Sequence, residues 1–246
     1  MRILNVISLL LAYPDETIIE GRDELAQAIR DAREISRDRR AALLALLDEL
    51  TGQDLMDAQE RYSELFDKGR HLSLLLFEHV HGESRDRGQA MVDLMVQYEA
   101  AGFAIALKEL PDYIPLYLEF LSTQDSAVAR EGIADISHLL ALLAARLEER
   151  HSRYAAAFQA LLQMAGESVG EAVGRVRPAV AAEQRDDSLE AMDRLWEEEQ
   201  VTFLQGEPQG GCGADAHRPR KAREETPVPL HWVDFDHAPA AAPARR

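Results

Sequence analysis

The chain has 246 residues, a formal net charge of −17 and a single cysteine, Cys212. The strong negative charge argues against nucleic acid and against stable association with anionic membranes, since both require a basic face. One cysteine excludes an intramolecular disulfide and any site built from several cysteines of this chain. Abundant Leu and Ala with few β-branched residues favour helices, and the lack of disulfides fits a reducing cytoplasm.

The N-terminal part of the chain shows apolar residues at helical spacing. Residues 3–12 are mostly apolar but too few to span a bilayer, and no cleavage pattern follows, so they predict a core helix. A second helix is predicted over residues 17–33. A third is marked by leucines at i, i+3, i+4 and i+7 and ends at Gly52. Those leucines are Leu43, Leu46, Leu47 and Leu50.

Further helices are predicted through the middle of the chain. One covers residues 54–66, and another begins in the apolar run 72–77. Ser84 is the expected N-cap of the next helix. The apolar stripe of that helix is Met91, Leu94, Met95 and Tyr98. The nearly continuous apolar residues 114–121 predict a central, buried helix.

The C-terminal part contains three predicted helices and a tail. Periodic apolar residues indicate one long helix over 133–147 and another over 154–162, with a weaker stretch stopping at Pro178. Residues 189–196 form a last amphipathic pattern. The sequence therefore predicts an all-α, single-domain helical bundle over residues 1–204. Residues 205–246 hold six of the ten prolines and predict a disordered tail.

Residues 62–89 concentrate aromatic, imidazole, carboxylate and guanidinium groups around an apolar run. Polar groups at the edge of a core need partners, which is what a binding surface or an active site requires. Two Glu-x-x-His pairs, Glu78 with His81 and Glu148 with His151, match half of a di-iron carboxylate site. A di-iron enzyme is therefore the alternative hypothesis.

Other features weigh against catalysis. His79 and His81 are two residues apart, so one helix would direct them to opposite sides. The sequence has no phosphate-binding loop after a strand and no nucleophile motif, so we expect a protein that is not an enzyme. Glu109 and Asp112 flank Pro111, and Asp112 is equally a candidate to cap the helix that starts at Ile114. A third hypothesis is that the protein is an acidic helical adaptor without a metalloprotein client.

Several segments resemble the NarJ family, the assembly chaperones of respiratory nitrate reductase. The similar segments are residues 62–67 (Tyr-Ser-Glu-Leu-Phe-Asp), 75–91, 109–112 (Glu-Leu-Pro-Asp), 116–119 and 195–201. The similarity covers about residues 1–204, and residues 77–91 are its most specific part.

The resemblance implies a helical chaperone of the TorD-like class. Such proteins bind the N-terminal peptide of the catalytic (alpha) subunit and hold that subunit in the cytoplasm until its molybdenum–guanine dinucleotide cofactor is inserted. The chaperone itself would bind no cofactor. A Glu, Pro, Asp, His motif lines the peptide-binding region of the class. It corresponds here to Glu109, Pro111 and Asp112, with Tyr113 in place of histidine.

The expected mechanism is recognition of an amphipathic client helix in a groove. Acidic residues of the groove would meet basic client residues and steer the encounter, and histidine protonation near neutral pH would weaken the site. The predicted peptide-binding residues are Tyr62, Phe66, Phe77, Glu78, His79, His81, Arg85, Asp86, Glu109, Pro111, Asp112 and Tyr117.

Overall fold

The computed structural model describes residues 1–80, 85–103, 105, 109–187, 191 and 193, without the side chains of Val80, Arg85 and Asp86. These residues contain twelve helices and one isolated β-bridge, which confirms the all-α prediction. The helices are α1 Arg2–Leu11, α2 Glu16–Glu20, α3 Arg22–Asp31, α4 Arg37–Thr51, α5 Leu55–Phe66, α6 Leu76–Val80, α7 Arg85–Ala100, α8 Ile114–Thr123, α9 Ser126–Asp135, α10 Ser137–Glu149, α11 Ala155–Met164 and α12 Val169–Ala182.

The N-terminal helix α1 packs along the central helix α8. Ser8 Oγ donates to the Pro115 carbonyl at 2.7 Å, and the Met1 ammonium donates to the Ser122 carbonyl at 2.6 Å. Because these bonds join opposite ends of the two helices, the pair is antiparallel. The predicted core helix at residues 3–12 is confirmed, with its inward side chains almost fully buried.

A second part of the core forms where α10 packs on α11 and α12, and α4 packs on α3 and α11. The four predicted leucines of α4 are all buried, and α4 ends with Gly52 as its C-cap. Fully burying one such side chain stabilises the fold by roughly 1.5–3 kcal/mol. Apolar periodicity was therefore sufficient to place α4.

Two predicted continuous helices are interrupted. The helix expected over 17–33 divides at Gly21 into α2 and α3. The helix expected over 133–147 divides at Ile136, between α9 and α10. The break lets α9 approach α8, where Tyr117 Oη donates to the Gly132 carbonyl, while α10 packs on α11 and α12. Tertiary packing overrides the local apolar period here.

Two helix boundaries were also predicted wrongly. The helix expected to stop at Pro178 continues to Ala182, because Pro178 lies inside α12 and the following turn buries Val180. The helix expected over residues 72–77 begins only at Leu76, four residues late. Residues before it bond instead to the chain around Tyr113, since Leu75 forms an antiparallel bridge with that residue.

Some expectations fall on residues that the structure does not describe. They are the Ser84 cap, most of the helix predicted over 189–196 and the tail at 205–246. Among the described helices, none combines the length and apolar character needed to cross a membrane.

Candidate functional site

Residues 72–80 and 109–113 meet in one place, which we call the α6 corner. Ile114 N–H donates to the Leu74 carbonyl at 2.8 Å, and Leu76 N–H donates to the Asp112 carbonyl at 2.9 Å. These bonds surround the bridge between Leu75 and Tyr113. The fold thereby brings together two segments that the sequence separates by about thirty residues, and both contain predicted peptide-binding residues.

Asp112 is fully buried and holds the start of α6. Its Oδ2 accepts the Phe77 backbone N–H at 3.1 Å, so the carboxylate lies at the positive end of that short helix. The expectation that Asp112 caps α8 is wrong: the N-cap of α8 is Tyr113, which makes no side-chain cap bond. Burial raises the pKa of the Asp112 carboxyl, while the Phe77 N–H and Arg87 oppose that shift.

The second oxygen of Asp112 belongs to an incompletely bonded polar cluster with Glu78 and Arg87. Within the described residues, Asp112 Oδ1 and Arg87 Nε are buried and have no hydrogen-bond partner. Arg87 Nη1 lies 3.5 Å from Glu78 Oε1, and both side chains are largely buried, with 21% and 26% exposed. Buried polar atoms without partners are rare in folded proteins. The bonding of one buried acceptor, Asp112 Oδ1, and one buried donor, Arg87 Nε, is therefore incomplete among the described residues.

His79 is directed back toward the chain that precedes α6. Its Nε2–H donates to the Ser73 carbonyl at 2.8 Å, because a carbonyl oxygen can only accept. Burial lowers the pKa of His79, with the bond to Ser73 acting in the opposite direction. At neutral pH the ring is therefore an uncharged structural contact of α6.

Tyr62 and Phe66 lie under the α6 corner rather than on its surface. Both are buried, and their rings contact each other at 4.8 Å between centroids. Tyr62 Oη donates to the Leu11 carbonyl at 3.1 Å and lies 3.1 Å from Tyr113 Oη. Tyr113, which replaces the expected histidine, thus joins the α6 corner to the aromatic core. Contact of Tyr62 or Phe66 with a peptide stays a prediction.

The remaining predicted residues fall in different surroundings. Pro111 is buried, and its carbonyl accepts from Tyr98 Oη at 2.7 Å, whereas Glu109 is exposed. Tyr117 faces α9 through its bond to Gly132, and burial raises its pKa to about 12. His81 and the side chains of Arg85 and Asp86 lie outside the described residues.

The second Glu-x-x-His pair does not keep a shared helix face. Helix α10 ends at Glu149, and His151 follows it with a φ of 54°. Glu148 forms an ion pair with Arg177 of α12 and accepts a hydrogen bond from Gln159. In the part of the chain that the structure describes, no group of three or more His, Cys, Asp or Glu is placed to hold a metal ion.

Helix α7, which contacts α6, presents an apolar face outward. Val92, Met95 and Val96 are 52%, 41% and 58% exposed. Leu110, which directly precedes Pro111, is 45% exposed. Of the predicted α7 stripe, Leu94 and Tyr98 are buried, so Met95 lies on the other side. Large exposed apolar side chains grouped on one helix are typical of an interaction surface.

Three residues in or beside the α6 corner were missed by the sequence-based predictions. Arg87 was not among the predicted peptide-binding residues, Tyr113 was treated as a departure from a motif, and Ser73 was not considered. Their roles depend on contacts between distant segments. No local spacing signals such contacts.

The chain matches known proteins over most of its length. Residues 32–160, more than half of the chain, match the family described as nitrate reductase delta subunit. The nitrate reductase molybdenum cofactor assembly chaperone NarJ of Escherichia coli (strain K12) is 47% identical over 228 residues, covering 93% of this chain and 96% of the relative. The probable chaperone of the same description, NarW, from that strain is 48% identical over 206 residues, covering 83% and 85%.

A more distant relative agrees. The probable nitrate reductase molybdenum cofactor assembly chaperone NarJ of Bacillus subtilis (strain 168) is 35% identical over 159 residues, covering 64% of this chain and 85% of the relative. These relatives are named as assembly chaperones rather than enzymes, and the chain described here is likewise not an enzyme. The chain belongs to the nitrate reductase delta subunit family of NarJ-type assembly chaperones.

Proposed function

We propose that this chain is a maturation chaperone of nitrate reductase that binds the N-terminal peptide of the catalytic subunit at the α6 corner. Bound there, the subunit would be held in the cytoplasm, competent for insertion of its molybdenum–guanine dinucleotide cofactor. The chaperone would neither bind that cofactor itself nor associate stably with the membrane. Relatives named as molybdenum cofactor assembly chaperones of nitrate reductase support the general role.

The observation that carries peptide binding is the unmatched buried oxygen of Asp112. Asp112 Oδ1 has no hydrogen-bond partner among the described residues, although the residue is completely buried. A donor group of a peptide would bond the neighbouring Glu78 carboxylate, which is 26% exposed, and would reach Asp112 Oδ1 by displacing the start of α6. Hydrogen bonds to charged groups contribute about 1.5–3 kcal/mol each, enough to fix the orientation of a docked helix.

The outward face of α7 supplies the apolar part of such a site. An amphipathic peptide helix would cover Val92, Met95 and Val96 with its apolar side. Its basic side chains would meet acidic groups such as Glu109, which is exposed at the α6 corner. With a chain charge of −17, attraction would accelerate the encounter more than it would tighten the complex.

Calorimetric titration with the N-terminal peptide of the catalytic subunit tests the proposed site. We expect Glu78→Gln to weaken binding, since Glu78 is a carboxylate of the α6 corner close to Arg87. Glu167→Gln is the matched control, because Glu167 pairs with Arg175 at the start of α12, away from that corner. Binding should also weaken as salt concentration rises.

Two results would contradict the proposal. If the wild-type chain and Glu78→Gln bind the peptide with equal affinity, the peptide site does not lie at the α6 corner. If pull-down with the wild-type chain from nitrate-grown cells does not recover the apo catalytic subunit, that subunit is not the client.

A further inference from the structure

Residues 183–187 follow α12 and lie across α10, and we call them the strap. Arg146 of α10 forms a two-point contact with Glu183, with Nε and Nη2 lying 2.8 and 2.6 Å from the two carboxylate oxygens. Arg150 Nη1 lies 3.2 Å from Asp187 Oδ2. Only 10% and 11% of the two arginine side chains are exposed. Ion pairs buried to this degree hold the strap in place on α10, because separating them leaves an uncompensated buried charge.

The strap also holds the backbone of His71, which lies at the start of the chain leading to α6. Asp186 Oδ2 accepts the His71 N–H at 2.7 Å, and Arg146 Nη1 donates to the His71 carbonyl at 2.7 Å. Asp186 Oδ1 lies 3.4 Å from His71 Nδ1 and 3.6 Å from Arg150 Nη2. Both backbone polar groups of His71 are thus bonded by distant residues: the N–H by Asp186 of the strap and the carbonyl by Arg146 of α10.

Close approach at Gly69 shows how tightly the strap fits this loop. A Cβ placed on Gly69 would lie 2.7 Å from Cγ and Oδ1 of Asp186, which is shorter than real Cβ contacts. Only glycine allows the carboxylate to reach its position beside the backbone. The contact therefore depends on both residues.

The loop held by the strap connects directly to the α6 corner. Two residues after His71, the Ser73 carbonyl accepts from His79 of α6. The next residue, Leu74, accepts from Ile114 N–H, which leads into α8. A shift of His71 would thus reach the bonds that place α6 beside Asp112.

We propose that Asp186 is a positioning residue for the peptide site: by holding His71, it sets the position of α6 against Asp112. This inference rests on the proposed function. Asp186 does not touch the peptide. It acts through the loop at 69–73, and the strap couples the end of α12 to the α6 corner.

Two single variants and their double variant test the coupling. Asp186→Ala removes the carboxylate, and Gly69→Ala displaces it without changing any charge. Each should weaken binding of the catalytic subunit's N-terminal peptide about fivefold. The double variant should bind the peptide with the same affinity as the single variant that binds it more weakly, because both substitutions break the same contact.

Two controls separate positioning from loss of stability. Arg185→Ala changes the strap at a side chain that is 70% exposed and bonds Asp187 rather than the loop, so affinity should be unchanged. Asp186→Asn keeps an oxygen that can accept the His71 N–H and should retain most of the affinity. Hydrogen exchange of the His71 amide should accelerate in Asp186→Ala and Gly69→Ala while the wild-type rate is kept in Arg185→Ala.

The outcomes distinguish the two claims. Wild-type-like affinity in Asp186→Ala and Gly69→Ala, with accelerated exchange at His71, overturns the positioning role and leaves the proposed function intact. Additive losses in the double variant, or an equal loss in Arg185→Ala or Asp186→Asn, also overturn it. If the wild-type chain does not bind the peptide, the proposed function fails and the inference fails with it.

Discussion

Two polar clusters lie at opposite ends of residues 69–80 and differ in how their charges are matched. At the strap, Arg146 and Arg150 face the carboxylates of Glu183, Asp186 and Asp187. One buried strap oxygen, Asp186 Oδ1, has no hydrogen-bond partner among the described residues, but it lies 3.6 Å from the charged Arg150 Nη2. At the α6 corner, Asp112 and Arg87 each keep a buried atom that no described residue bonds.

The same difference is visible in the proton affinities. The bond from Arg146 lowers the pKa of Glu183, and the bond from Arg185 lowers the pKa of Asp187. Burial instead raises the pKa of Asp112. A matched cluster stabilises the folded chain, whereas an unmatched one is destabilising until a ligand completes it. We therefore infer a structural role for the first and a binding role for the second.

A substitution in the matched cluster should change stability most. Arg146→Ala should lower the free energy of unfolding by about 3 kcal/mol, because it leaves Glu183 and the His71 carbonyl without their donor. Urea denaturation measures the change. Arg175→Ala, which breaks an exposed pair with Glu167, should cost about 0.5 kcal/mol or less. Similar losses in both variants would remove the distinction between the strap and an ordinary surface pair.

The unmatched cluster should show the opposite balance between stability and binding. Asp112→Asn keeps an oxygen for the Phe77 N–H and removes a buried charge, so stability should change by less than about 1 kcal/mol. Peptide affinity, measured by titration calorimetry, should fall about tenfold. Asp125→Asn, at an exposed position before α9, is the control. A large loss of stability with unchanged affinity would make Asp112 purely structural.

Acid should act on the two clusters with opposite sign. The stabilising contribution of Glu183 is complete above its ordinary pKa of 4.5 and is lost as pH falls through its lowered folded-state pKa. Asp112 binds its proton more tightly when folded, so its contribution improves as pH falls through the raised pKa toward the ordinary value of 3.8.

Unfolding free energies of the wild type, Glu183→Gln and Asp112→Asn, measured from about pH 7 to about pH 3.5, check these signs. The advantage of the wild type over Glu183→Gln should shrink on acidification, and its difference from Asp112→Asn should move in favour of the wild type. Parallel curves for the two variants would contradict the comparison.

The smallest expected effect concerns His79, which joins α6 to the chain held by the strap. His79→Gln should cost about 1 kcal/mol at neutral pH through the bond to Ser73. Because burial lowers the pKa of His79, the wild type should lose stability as pH falls below the ordinary value of 6.5. Denaturation at pH 7.5 and at pH 6, each about half a unit or more from the ordinary histidine pKa, measures this loss of stability. His79→Gln should not show the part of the loss that comes from His79. An identical pH dependence would contradict a neutral, buried His79.

The helical class, the family and most of the core could be predicted from the amino-acid sequence alone. Leu43, Leu46, Leu47 and Leu50 lie on one face because 3.6 residues complete a turn, and burying that face requires only local spacing. The end of α4 at Gly52 follows from equally local chain conformation. The similar segments, with residues 77–91 as the most specific part, indicated the family, which the match over residues 32–160 confirms.

The roles of the polar residues, in contrast, depend on contacts between distant segments of the fold. Asp112 holds α6 rather than α8, Arg87 faces Glu78, and Asp186 bonds a loop more than a hundred positions earlier. Each contact joins segments far apart in sequence, and its geometry depends on how the whole helical core packs. Spacing along the chain reports which face of a helix is apolar, but it does not report which distant carboxylate reaches a given backbone N–H.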